Sequence, residues 1–380
     1  MGSLDSTIQP DSPVPIVDFG PFYTGDEAAK KAVANQLDNA LSTVGFVYLK
    51  NHGVPKERVD AAFEWSRQFF ALPPSTKSLA PHPPGGSHHR GYSAPGVEKV
   101  SQHVFDDAAA IAALRRVPDY KESYETGNEA DARQPNIWLP DDALPGFRAF
   151  LQSFFRDCDG VVHALLRALA LGLGLPREEW LSERHSASAF QLRLLHYPPV
   201  PVRALTGGEG SGGGGGDEGS EGGEEGRERG EGKATTSRIG AHSDFGSLTI
   251  LFQDAVGGLE VEDPSRPGSF RPAPPVEGTL LVNVGDLLER WSNGRWRSTV
   301  HRVGAPPVQR LREAGAVVEA EGGGEEMCRA RYSIPFFSAP NDDAVIEALP
   351  GCWDERANPK KYEPVTAEQY VTMRMEALYS

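Results

Sequence analysis

The stretch Ile239-Gly-Ala-His-Ser-Asp-Phe-Gly-Ser-Leu-Thr-Ile-Leu-Phe252 decides how this chain is read. Its second half, Ser247–Phe252, is a short β-like run. Its first half holds His242-Ser243-Asp244. Successive side chains on an extended backbone point to opposite faces, so His242 and Asp244 share one face. A further β-like run, Ser298–Val303, carries His301. Two imidazoles and one carboxylate on neighbouring strands leave three positions open around a metal ion. That arrangement suits Fe(II) and O2.

Working outward, Arg331 and Ser333 again have matching parity. A planar guanidinium and a hydroxyl on one face can hold a carboxylate at two points. Arg329 has the same parity, so spacing alone leaves both arginines open. Upstream, Gln191–Tyr197 places Arg193, Leu195 and Tyr197 on one face. A buried Arg193 needs a partner, either a structural carboxylate or a polar group of the substrate. Tyr197 could offer its hydroxyl to a bound co-substrate.

The rest of the chain suggests two regions. The first has a strand at Pro15–Phe19, a helix over 26–44, a strand over 45–50, a helix over 56–70 and a long helix within 144–175; His82–Gly96 reads as a loop. From Phe190 onward come short β-like runs split by Gly and Pro: 190–197, 247–252, 259–261, 279–284, 298–303 and 330–337. Such a series argues for a sandwich or barrel. A closing helix is expected over 366–379. The division is a flexible N-terminus 1–13, an α/β module 14–185, a β core 186–365 and a C-terminal helix 366–380.

Net charge is −15 over 380 residues, with 42 glycines. Residues 207–232 hold 14 Gly and 8 Asp/Glu against 2 Arg, a charge of −6; residues 313–326 hold 5 Glu and no Lys or Arg, a charge of −5. The other 340 residues therefore carry only −4. Both tracts are read as flexible insertions between strands. The acidity argues against nucleic-acid and anionic-membrane partners. Three widely spaced cysteines (Cys158, Cys328 and Cys352) form no metal or disulfide pattern, and the N-terminus lacks an apolar signal core. A cytoplasmic location is expected. The most apolar stretch, 161–175, is broken by His163 and Arg167, too short to span a membrane.

His242-x-Asp244, His301 and Arg331-x-Ser333 together resemble the signature of the iron(II)/2-oxoglutarate-dependent dioxygenases, in their isopenicillin-N-synthase-like branch. Val14-Pro-Ile-Val-Asp-Phe, Gly45-Phe-Val-Tyr-Leu-Lys-Asn-His-Gly-Val, Tyr197-Pro198, Gly246-Ser-Leu-Thr-Ile-Leu-Phe-Gln-Asp, Gly257-Gly-Leu-Glu-Val and Val282-Asn-Val-Gly-Asp resemble that superfamily too. Arg90-Gly-Tyr-Ser-Ala-Pro-Gly, Glu98-Lys-Val-Ser-Gln, Lys121-Glu-Ser-Tyr-Glu-Thr-Gly and Leu192-Arg-Leu-Leu-His-Tyr-Pro are similar to fungal thymine dioxygenase and related fungal oxygenases. The resemblance covers roughly 14–205 and 237–380. It departs at Leu195, where the superfamily often has Asn.

The resemblance implies a mostly β fold with flanking helices: a double-stranded β-helix (jelly-roll) core behind an N-terminal α/β module. It implies Fe(II) on His242, Asp244 and His301. It implies 2-oxoglutarate as co-substrate, bound by Arg331, Ser333 and Tyr197, with O2 as oxidant. Its Arg-Tyr-Ser register selects Arg331 over Arg329. The implied activity is oxidation, most simply hydroxylation, of a small molecule: a pyrimidine such as thymine or a specialised metabolite. Arg193, Phe245 and Phe337 are the candidate substrate contacts. The alternatives are an iron oxidase of the same fold that uses no 2-oxoglutarate and a non-catalytic binding protein on that scaffold. Oligomeric state is left open.

Overall fold

Asp26 begins the first long helix: its carboxylate accepts from the Ala29 N–H at 2.9 Å, capping the helix Glu27–Thr43. Val33, Ala34, Leu37, Ala40 and Leu41 recur at helical spacing and are buried. The helix Lys56–Ala71 buries Ala62, Phe63, Phe69 and Phe70 in the same way. The helix Phe147–Leu173 is buried along most of its length, and left-handed Gly174 ends it. In this computed structural model the described residues are 12–84, 88–97, 121–205, 239–304, 308–319 and 324–379.

The strands are β1 (Ile16–Asp18), β2 (Phe46–Lys50), β3 (Gly91–Ser93), β4 (Glu122–Gly127), β5 (Gln191–Tyr197), β6 (Val200–Pro201), β7 (Ile239–His242), β8 (Leu248–Gln253), β9 (Leu259–Glu262), β10 (Phe270–Pro272), β11 (Thr279–Val284), β12 (His301–Val303), β13 (Val317–Glu319), β14 (Glu326–Cys328) and β15 (Arg331–Ser338). Among the described residues, eight form one sheet in the order β1-β2-β11-β8-β15-β5-β4-β3. Four form a second sheet, β10-β9-β12-β7. The region before residue 186 thus supplies four of the eight strands in the larger sheet.

Alternation sorts the side chains of that sheet. Ile334, Phe336, Leu192, Leu194, Ile250 and Phe252 point to the three long helices and join the main core. Residues of opposite parity, among them Tyr48, Leu195, Tyr197 and Leu281, meet Val261, Leu259 and Val303 of the smaller sheet in a second core. The functional side chains share this second face.

Two expectations are corrected. The loop over 82–96 contains β3, which pairs with β4; three residues with a glycine at their head carry too little periodicity to show a strand. The tract 313–326 was expected to be flexible, but its ends are ordered. The helix Val308–Glu313 leads into β13, which pairs with β14, and Leu311, Ala316, Cys328 and Val202 pack together. Its few apolar residues are enough to fasten both ends. Residues 320–323, the tract 207–232 and residues 1–11 lie outside the described residues. No disulfide joins the three cysteines, all buried. Among the described residues no helix is long and apolar enough to cross a membrane.

Candidate active site

Strand pairing brings the two histidines level, since His301 on β12 is the register partner of His242 at the end of β7. Asp244 follows as the chain leaves β7. Its Oδ1 lies 4.0 Å from His242 Nε2 and 3.8 Å from His301 Nε2. His242 Nδ1 is 2.9 Å from the Gly240 carbonyl and His301 Nδ1 is 3.2 Å from the Thr299 carbonyl. A carbonyl only accepts, so each Nδ1 carries the hydrogen and each Nε2 presents a lone pair toward Asp244. Asp244 Oδ2 accepts from Thr249 Oγ1 at 2.5 Å and from Asn283 Nδ2 at 2.7 Å, which leaves Oδ1 turned to the histidines.

Charge follows the same logic. Burial pushes His242 down to about 4, and the neighbouring His301 adds to the effect, so its imidazole is neutral at neutral pH. Burial opposes ionisation of Asp244, but the two imidazoles and the bonds from Asn283 and Thr249 outweigh it and hold its carboxyl below the usual range. Two imidazoles and one carboxylate with mutually close donor atoms fit a divalent metal of the first transition row.

The backbone around the site is crossed tightly. A Cβ on Gly246 would lie 2.2 Å from the Ser338 carbonyl oxygen, and one on Gly285 would lie 2.3 Å from that of Gly246. Only glycine lets these segments stack, and the Asp286 N–H beyond Gly285 then reaches the Asp244 carbonyl at 2.8 Å.

Arg331 and Ser333 on β15 stand beside Tyr197 on β5. Arg331 is 1% exposed, whereas Arg329 is exposed, which separates the two arginines. Arg331 donates from Nε to the Gly257 carbonyl at 2.7 Å and from a terminal nitrogen to Ser333 Oγ at 3.1 Å. Its guanidinium lies 4.8 Å over the Tyr197 ring. Leu195, the position that departs from the superfamily, fills the second core.

Farther along β15, Phe337 stands opposite Thr249 on β8 and Gln191 on β5. Arg193, on the same face, pairs with Glu125 of β4, which is fully buried and also accepts from Gln191 Nε2 at 2.5 Å. Of the two partners left open for Arg193, the structure supplies the carboxylate. Phe245 lies 4.2 Å beneath the guanidinium of Arg374, from the helix Ala367–Tyr379.

Sequence reasoning missed Glu125, Thr249, Asn283, Lys121 and Arg374. Parity alone could have flagged Thr249, two positions into a strand beside the histidine motif. Glu125 sits in a run too polar to look like a central strand. Lys121 is buried, and its charge reaches His242. His82, His89 and Glu125 also bring donor atoms together. There the Arg193 guanidinium already neutralises the carboxylate, so a cation is disfavoured.

Residues 14–141 match the family of the non-haem dioxygenase in morphine synthesis, N-terminal region, and residues 189–340 match the 2OG-Fe(II) oxygenase superfamily. A 2-oxoglutarate-dependent dioxygenase of Dothideomycetidae sp. is 36% identical over 97% of this chain and 97% of its own. A proline hydroxylase of Petromyces alliaceus is 36% identical over 96% of this chain and 98% of its own. The full-length thymine-7-hydroxylase of Neurospora crassa, crystallised with alpha-KG and thymine, superposes with a TM-score of 0.76 at 35% identity, over 96% of this chain and 98% of that one. With a largely buried His-Asp-His group in place and relatives matched along nearly their whole length, the chain belongs to the 2OG-Fe(II) oxygenase superfamily and is an Fe(II)/2-oxoglutarate-dependent dioxygenase of small organic substrates.

Proposed function

We propose that His242, Asp244 and His301 hold the Fe(II), and that Arg331, Ser333 and Tyr197 hold the 2-oxoglutarate. The observation that carries this reading is the shared orientation of the three donor atoms, each fixed from behind by a hydrogen bond. Arg331 is turned by the Gly257 carbonyl so that guanidinium and Ser333 hydroxyl face one way. The pair would donate to the far carboxylate of 2-oxoglutarate at two points. When bound, the metal supplies activation of O2 coupled to decarboxylation of 2-oxoglutarate to succinate and CO2. The protein's part is to orient the imidazoles and the carboxylate, keep water out and orient the substrate.

On the same reading the two facing sheets make a double-stranded β-helix, preceded by an α/β module over 14–185 and closed by the helix 366–380. The candidate substrate contacts are Phe245 and, side by side on one face of the larger sheet, Phe337 and the Arg193–Glu125 pair. Aromatic faces with a polar rim suit a flat heterocycle or a cyclic amino-acid unit, and hydroxylation is the simplest outcome. These two classes appear among the relatives, as thymine and as proline. Free, buried cysteines fit a reducing compartment such as the cytoplasm, and the relatives named above are fungal.

The test is 2-oxoglutarate consumption by the Fe(II)-loaded protein against thymine, related pyrimidines and prolyl compounds. Stimulated succinate release with an oxidised product identifies the class. Equal release with every compound would reject this placement of the pocket.

A further inference from the structure

We infer that Arg374 is a positioning residue that couples docking of the C-terminal helix Ala367–Tyr379 to occupancy of the metal site. This rests on the proposed His242, Asp244 and His301 ligand set. Of the helix's described side chains, three are buried: Ala367, Tyr370 and Arg374, spaced along one face. The first turn is held by backbone bonds from Ala367 and Glu368 to the carbonyls of Ala344 and Asp342. Two turns on, Arg374 is 5% exposed, and its contacts fall around the metal-binding segment. One terminal nitrogen pairs with Asp286 and lies 3.0 Å from the Tyr370 hydroxyl. The other donates to Ser243 Oγ at 3.3 Å. The guanidinium carbon lies 4.2 Å over the centre of the Phe245 ring. Ser243 and Phe245 flank Asp244.

Asp286 closes the circuit. Its carboxylate accepts from the Tyr370 hydroxyl at 2.9 Å and from Ser298 Oγ at 2.6 Å, while its N–H holds the Asp244 carbonyl. Ser298 lies three residues before His301. One buried ion pair is therefore tied to segments bearing two of the three ligands. An apolar residue would anchor a helix at least as well, because burying two charges costs solvation. What the charged pair adds is a fixed set of donors on the ligand segment. Coupling between two equilibria is reciprocal, so a docked helix tightens the metal site and a bound metal tightens the helix by the same factor.

The experiment titrates Mn(II) into the full-length protein without 2-oxoglutarate and follows amide hydrogen exchange across 367–379. In the wild type, Mn(II) should slow exchange there. Arg374→Ala should lose that slowing and bind Mn(II) about 10- to 100-fold more weakly, the usual consequence of removing a group that orients a ligand. Arg374→Lys, which keeps the charge without the planar fork, should fall between. If Arg374→Ala fails to fold, Arg374→Met combined with Asp286→Asn removes both buried charges and should show the same weakened binding. Wild-type affinity in a folded variant, or exchange in the helix indifferent to Mn(II), overturns the coupling alone. A wild type that binds no Mn(II) overturns the ligand assignment with it.

Discussion

Asp244 shows how much of this site is built from residues that never face the substrate. Thr249 and Asn283 occupy one oxygen so that the other is available. Thr249→Val and Asn283→Leu should each weaken Fe(II) binding about 10- to 100-fold while leaving the fold intact. Anaerobic titration measures this, and unchanged affinity would remove both residues from the account. Arg331 is judged the same way. Arg331→Lys keeps the charge but loses the fork, and should raise the 2-oxoglutarate requirement by about 10-fold or more, since a hydrogen bond to a charged group contributes roughly 1.5–3 kcal/mol. A KM for 2-oxoglutarate equal to wild type would place the co-substrate elsewhere.

At the scale of elements, the strands nearest the chemistry were legible because they alternate. Arg331, Ser333 and Phe337 alternate with Ile334 and Phe336, and the structure places the two sets on opposite faces of β15. The helices were legible from their apolar stripes, and the structure adds the Asp26 cap and the Gly174 stop. β4 was not legible, because Ser123 and Glu125 point to the second core and Glu122, on the helix-facing side, is buried while bonding Lys77, Tyr92 and His196. A buried strand satisfied largely by polar pairs leaves little hydrophobic signal. Arg374 was invisible for a related reason, since its partner Asp286 lies 88 residues away. The glycine crossing makes an element-scale prediction. Gly285→Ala forces a Cβ against the Gly246 carbonyl, and thermal unfolding of the metal-free protein should come earlier by several degrees. An unchanged midpoint would show that the two segments part easily.

For the whole molecule, two behaviours follow. Burial lowers His185 and His52 to about 4, from 6.5. The unfolded chain therefore takes up protons first as pH falls below 6.5, and native stability is lost between about pH 6.5 and 4, at up to ~1.4 kcal/mol per pH unit for each histidine. His185 is held on both ring nitrogens, by the Leu181 carbonyl and the Ser247 hydroxyl, each at 2.7 Å. His185→Gln should flatten that dependence in denaturant melts of the metal-free protein at pH 7 and pH 5; an identical slope would contradict it. The second behaviour concerns charge. The tract 207–232 carries −6 of the net −15 and no residue of the site. Its deletion should leave turnover largely intact, and a lost turnover would give it a part in the pocket.

The central claim is that His242, Asp244 and His301 hold the iron that couples 2-oxoglutarate to substrate oxidation. Succinate formation from 2-oxoglutarate, measured with and without Fe(II) for the wild type and for Asp244→Ala, tests it most directly. The wild type should form succinate only with Fe(II), and folded Asp244→Ala should form essentially none. Iron-dependent succinate formation that survives in Asp244→Ala would contradict it.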